Sequence, residues 1–160
     1  MAKVILLCGL ICTGKTTYAN RLCREMRAAM LSVDEITLAL FHGGAGDMHD
    51  VYVERAKKYI YRKAVELAEV GISSVIDIGL WTKTERDEAR KFFGEKGIEF
   101  EIHYITVPQE EWYRRIAKRN AAVKNGECEA YFVDEGLADK CLSLFEPPQT
   151  DESVNTISGI

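Results

Sequence analysis

Two glycines bracket a short loop, and a lysine and a hydroxyl follow at once, in Gly9-Leu10-Ile11-Cys12-Thr13-Gly14-Lys15-Thr16. The run satisfies GxxxxGK[ST] at every defined position. Gly9 and Gly14 let the backbone curl until several N–H groups point inward, and a helix opening at Lys15 adds its partial positive charge. The result is a nest for phosphate oxygens. Lys15 is placed to reach β- and γ-phosphates, and the Thr16 hydroxyl to join the shell of a magnesium ion. The motif thus implies ATP with Mg2+, held by Gly9, Leu10, Ile11, Cys12, Thr13, Gly14, Lys15, Thr16 and Thr17. Cys12 reads as a small residue that fits the loop, with a redox switch as the other reading.

Asp34 follows a short apolar run, Met30 to Val33. A carboxylate at a strand end beside the phosphates suits a general base that takes the proton of an incoming hydroxyl; capping of the next helix is the competing role. Asp77 closes Ser74-Val75-Ile76-Asp77, the setting of a carboxylate that acts on magnesium through water, against a turn-forming Asp before Gly79. Trp81 just beyond suits either the wall of an acceptor site or the core. Arg115 and Arg119 are four apart on one helix face, where two guanidiniums can neutralise a transferring phosphate. The plainer reading pairs that face with Glu110 and Glu111. His42, His49 and His103 have no spacing that suggests a metal site; His103 falls mid-strand, and the other two flank a glycine-rich loop.

Positioning these groups takes an alternation of strands and helices. Lys3 to Cys8 is a continuous apolar run of the kind buried on both faces of a parallel sheet. A helix with period-3.6 apolar residues runs from Lys15 to about Ala29, and a strand from Met30 to Val33. Phe41 to Asp47 is expected as a mobile loop because three glycines fall there. Helix over Val51–Val70, strand over Ile72–Ile78, helix over Thr84–Lys96 and strand over Ile98–Val107 follow, with Gly71 and Gly97 as helix stops. Pro108 is expected in the first turn of a helix ending at Asn120. A polar stretch, Ala121 to Tyr131, precedes a helix over Val133–Phe145, and an edge strand is expected near Val154–Ile157. The pattern is α/β, a parallel sheet with helices on both faces and ligands beyond the carboxyl ends of its strands.

The 160-residue chain carries a formal net charge of −4 and is 47% hydrophobic and 29% charged, the balance of one globular domain. An acidic balance does not indicate nucleic acid as a partner. Five cysteines without a CxxC pair imply reduced thiols and a cytoplasmic location. No run approaches the ~20 apolar residues of a membrane span, so no membrane partner is expected. The base-reading NKxD motif of GTPase switches is missing, and Ile78 rather than a glutamate follows Asp77, which argues against a remodelling or transport ATPase.

Taken together, the loop, Ser32-Val33-Asp34, Val75-Ile76-Asp77-Ile78-Gly79-Leu80-Trp81 with Glu85-Arg86-Asp87, Arg115-Ile116-Ala117-Lys118-Arg119-Asn120 and Phe145-Glu146-Pro147-Pro148 resemble the P-loop kinases of the nucleoside-monophosphate-kinase type. Within these the chain is most similar to a family of small bacterial ATP-binding kinase-like proteins related to polynucleotide 5′-kinase, chloramphenicol phosphotransferase and zeta toxins. The resemblance implies a P-loop NTPase three-layer α/β/α sandwich, with a five-stranded parallel sheet in the order 2-3-1-4-5. It implies one kinase domain over 1–160, a short lid at about 120–134 between Arg115 and Asp134, and an acceptor region between Asp34 and Val51. Arg115 would lie against adenine, Arg119 would contact the transferring phosphate, and Asp34 would act as base beside Lys15. The expected activity is transfer of the γ-phosphate of ATP to a hydroxyl of a small molecule, with a polynucleotide 5′-hydroxyl or a slow nucleotide-binding regulator as alternatives. Thr37 stands where polynucleotide kinases usually carry an arginine that holds the acceptor strand, which weakens the first alternative.

Overall fold

The computed structural model describes residues 1–41 and 45–158; the loop expectation for Phe41–Asp47 falls partly on 42–44, outside them, as does His42. Strands β1 (Lys3–Cys8), β2 (Ala29–Ser32), β3 (Ser74–Asp77), β4 (Glu99–Thr106) and β5 (Asn155–Ser158) form one sheet in the order β2-β3-β1-β4-β5. Every pairing is parallel, with Val4 opposite Ser74 and Phe100, and His103 opposite Asn155. Helices α1 (Lys15–Met26), α2 (Val33–Leu40), α3 (His49–Glu69), α4 (Lys83–Glu95), α5 (Gln109–Lys124) and α6 (Glu135–Leu144) supply the connections, with a 3-10 turn over Gly46–Met48.

Strand β1 explains the layering. Its side chains alternate, so Val4, Leu6 and Cys8 pack with Ile60, Ala64 and Phe93 of α3 and α4 on one face. Ile5 and Leu7 pack with Tyr18 and Ala19 of α1 on the other. A strand covered on both sides has no room for polar residues, which is why it reads as unbroken apolar sequence. A third cluster, Trp112, Ile116, Val133 and Ala138, lies against Leu10, Ile11 and Cys12 and seats α5 and α6 on the loop after β1. His103 is structural: its Nδ1 and the Tyr18 hydroxyl are 2.8 Å apart, and its Nε2 lies 2.9 Å from Glu101.

Several boundaries differ from the sequence expectation. Strand β2 ends at Ser32, because Ser32 caps α2: its Oγ accepts from the Glu35 amide at 3.2 Å. Asp34 therefore sits in the first turn of α2 and neither ends the strand nor caps the helix. Pro108 is the cap residue of α5 rather than part of its first turn. The same helix continues past Asn120 to Lys124, since Ala121, Ala122 and Val123 sustain it despite a polar surface.

The short stretch between β3 and α4 is pinned by a buried arginine. Arg86 is fully buried, donates to both Glu152 carboxylate oxygens at 2.7 and 2.8 Å, and also to the Leu80 and Glu146 carbonyls at 3.1 and 2.9 Å. Glu146 in turn accepts from the Lys83 amide at 2.7 Å. Arg86 and Glu146, singled out in sequence through the kinase resemblance, thus fasten the segment leading to β5 onto the wall at Leu80-Trp81.

Candidate functional site

The loop between β1 and α1 takes the shape its glycines permit. Gly9 has φ +145° and Gly14 φ +98°, and Cys12 between them also sits at a positive φ of 58°. At Gly9 the constraint is doubled, because a Cβ there would lie 2.4 Å from the Ile105 carbonyl oxygen. We expect Gly9→Ala to displace the loop from β4 and to weaken ATP binding at least about tenfold, measured by calorimetric titration. The loop is held from outside as well. Trp112 Nε1 donates to the Ile11 carbonyl at 2.6 Å, Arg115 Nη1 to the Thr13 carbonyl at 3.0 Å, and Arg119 Nη1 to Cys12 Sγ at 3.3 Å. Three successive turns of α5 therefore grip the loop.

Lys15, Thr16 and Asp77 converge at the carboxyl ends of β1 and β3. Thr16 Oγ1 donates to Asp77 Oδ2 at 2.5 Å, and Lys15 Nζ folds back to the Leu10 carbonyl at 2.7 Å. Burial pushes the Asp77 carboxyl above its ordinary range, against the pull of Lys15 and the Thr16 hydroxyl. Burial likewise pushes the Lys15 ammonium down, while Asp77 and Asp34 oppose that shift. A phosphate would relieve the lysine's cost by giving its charge a partner.

Two cavities meet at these residues. The larger, about 930 Å³, runs along the loop and the start of α1 and is bounded by α2, Arg115, Arg119 and the segment Cys128 to Ala130. The smaller, about 270 Å³, lies between β3, α2 and α3. Lys15, Asp34 and Asp77 line both. Trp81 lines the smaller one with its indole against Gly79, where an added Cβ would lie 2.5 Å from the ring nitrogen.

Arg115 and Arg119 both reach the larger cavity. Of the expected partners Glu110 and Glu111, it is Glu111 that accepts from Arg115 Nε at 2.7 Å and from Arg114. Arg119 keeps a buried Nε without a partner among the described residues. The segment between α5 and α6 is fastened to the rest of the chain at both ends. Asn120 exchanges two hydrogen bonds with the Val133 backbone, at 2.6 and 2.9 Å, and the Tyr131 hydroxyl lies 2.9 Å from Thr37 Oγ1 on α2. Thr37 also bonds back to Val33, so it is buried in helix packing. His49 meets Tyr131 edge-on.

The donors present suit a nucleotide and a magnesium ion. The glycine cradle, the orphaned Arg119 Nε and the Thr16–Asp77 pair are each unsatisfied or costly as they stand and would be relieved by an anion with its counter-ion. Among the described residues no group of three or more His, Cys, Asp or Glu could hold a metal. Magnesium carried mainly by phosphate oxygens and water does not require one. Sequence reasoning missed Asp50, Glu54 and Lys57 of α3, which line the smaller cavity together with Glu85. On a long amphipathic helix such charges look like a solvated face, and only the packing of α3 against β3 distinguishes them.

Residues 4–148 match the family described as an AAA domain. No curated protein matches the chain significantly. Among solved structures, the chain is similar to a sugar kinase from Janibacter sp. HTCC2649, with 19% identity, TM-score 0.64, and 99% of this chain and 86% of that one covered. It is similar to the Mycobacterium tuberculosis APS kinase CysC in complex with AMPPNP and APS, at 20% identity and TM-score 0.69, covering 98% and 88%. It also resembles a chain of the Pnkp1/Rnl/Hen1 RNA repair complex, at 20% identity and TM-score 0.72, covering 89% of this chain and 43% of that one. At these identities the likeness establishes the fold, a P-loop NTPase sandwich.

Proposed function

We propose that this chain, which belongs to the AAA domain family, is an ATP-dependent phosphotransferase that passes the γ-phosphate to a hydroxyl of a small molecule. One observation carries the reading: Lys15, Asp34 and Asp77 line both a long cavity along the glycine loop and a small separate one. A donor and an acceptor that meet at one lysine and one exposed carboxylate are what phosphoryl transfer needs, since its catalysis is mainly positioning and charge neutralisation.

In this reading the loop amides from Gly9 to Thr17 bind the phosphates, and Arg115 holds the nucleotide end of the larger cavity. Lys15 and Arg119 neutralise charge on the transferring group. Thr16 and Asp77 would hold magnesium, Asp77 through water; when bound, the ion supplies further neutralisation on the β- and γ-oxygens. Asp34 orients the acceptor hydroxyl and takes its proton. The chain acts as one cytoplasmic kinase domain over 1–160, with 120–134 as a lid. Among the described residues no helix is long and apolar enough to cross a membrane.

The test is transfer of labelled γ-phosphate from ATP with magnesium, using no acceptor, a 5′-hydroxyl oligonucleotide, and pools of small hydroxyl compounds. Acceptor-dependent label in the small-molecule pools is expected. Asp34→Asn is expected to lower kcat about 100-fold or more while ATP still binds; an unchanged kcat would remove Asp34 from the reaction. ATP binding without transfer to any acceptor would mark a regulator instead.

A further inference from the structure

The smaller cavity is lined by five carboxylates, Asp34, Asp50, Glu54, Asp77 and Glu85, against two ammonium groups, Lys15 and Lys57. Taking the chain as a kinase, Lys15 and Asp77 are committed to the nucleotide side. Lys57, buried to 7% exposure, is spent within the wall, 3.4 Å from Glu54 and 3.2 Å from Glu85. Glu85 is locked further, accepting from the Thr82 amide at 3.0 Å. Burial alone would raise its carboxyl, but the Thr82 amide and Lys57 outweigh that and hold it below its usual range.

Asp34 and Asp50 are left over. Neither side chain has a hydrogen bond or ion pair to a described residue, and of the two lining ammonium groups Lys57 is engaged by Glu54 and Glu85 while Lys15 turns to the Leu10 carbonyl. Asp50 and Glu54 stand one turn apart on α3, so their carboxylates share a face. Trp81 lines the same cavity, and an indole face is a surface that also attracts cations. A phosphate-, sulfate- or carboxylate-bearing acceptor entering here would meet unpaired negative charge and no free cation among the lining residues. The volume of about 270 Å³ is below the ~300–1,000 Å³ of drug-sized sites.

We infer that the acceptor is a small amino alcohol, its ammonium group held by Asp50, with Glu54 one turn along α3 and Trp81 in the same cavity, and its hydroxyl presented to Asp34. The reaction balances: the acceptor oxygen bonds to the γ-phosphorus, the bond from that phosphorus to the β–γ bridging oxygen breaks, and ADP leaves with the electron pair. The hydroxyl proton passes to Asp34 and then to solvent. The inference rests on the kinase reading above.

Its test uses matched probes, 2-aminoethanol, ethylene glycol and glycolate, then glucosamine, glucose and gluconate. Each is titrated into protein loaded with magnesium and a non-hydrolysable ATP analogue, following Trp81 fluorescence with Trp81→Phe as control, and each is assayed for γ-phosphate labelling. The amines are expected to shift the emission and to be labelled with kcat/KM about tenfold above their neutral partners. Asp50→Asn should raise KM for the amine about tenfold, more than it lowers kcat. Preferred labelling of a carboxylate probe or of a 5′-hydroxyl oligonucleotide would overturn the assignment, as would amines that neither shift the emission nor take label. Analogue binding is measured in the same preparations. Its loss would remove the kinase reading itself, whereas binding with a preferred anionic acceptor removes only the amino alcohol.

Discussion

Lys15→Ala should lower phosphate transfer about 100- to 1,000-fold while leaving the fold intact. The side chain makes one hydrogen bond, to the Leu10 carbonyl of its own loop, and burial already penalises its charge. Truncation thus removes little that holds the protein together. What it removes is the one ammonium shared by both cavities, placed where charge would develop on the transferring group. Loss of a single preorganised donor of this kind costs about 100- to 1,000-fold in kcat. Labelled γ-phosphate transfer and a thermal melt on the same preparation check both halves. Transfer at the parent rate would refute the role, and a melt lowered by many degrees would mean that the lysine is structural.

The opposite pattern is expected of Glu152→Gln. Its parent carboxylate accepts two hydrogen bonds from the fully buried Arg86 and a third from Arg90 at 3.1 Å. Neutralising it strands a buried guanidinium, which costs about 3–5 kcal/mol, or roughly 10 °C in melting temperature for a chain of this size. The pH dependence has a definite sign. Hydrogen bonding from Arg86 holds the Glu152 carboxyl at about 2, against an ordinary 4.5. A depressed carboxyl stabilises the fold fully above its unfolded pKa and ceases to do so as pH falls through its folded one. The parent protein should therefore lose this contribution between about pH 4.5 and pH 2, whereas the variant lacks it throughout. Melts across that range check it; a variant as stable as the parent at neutral pH would sink it.

The phosphate loop and the sheet order were legible for different reasons. The loop is a local device, with every constrained position written into consecutive residues from Gly9 to Thr16. The order β2-β3-β1-β4-β5 was implied by the kinase resemblance and not by any local pattern. Boundaries were less legible where capping competes with strand pairing, as at Ser32, whose cap shortens β2 and moves Asp34 into α2. The smaller cavity was not legible at all. Its walls come from β3, α2, α3 and the start of α4, and Asp50 and Glu54 carry no mark in sequence that separates them from surface charges. Glu152 likewise looks like an exposed residue until the fold brings it to Arg86 across the chain.

The paired hydrogen bonds between Asn120 and the Val133 backbone have an evolutionary corollary. They tie the base of the 121–132 segment into a closed ring, while Trp112, Arg115 and Arg119 fasten the preceding turns to the phosphate loop. Chain inserted inside that ring lengthens it without loosening either anchor, and doubling a flexible loop costs only about 0.6 kcal/mol. The ring is thus a place where descendants of this sequence could acquire longer tips, and with them new contacts at the rim of the larger cavity, at almost no expense to the anchors beneath.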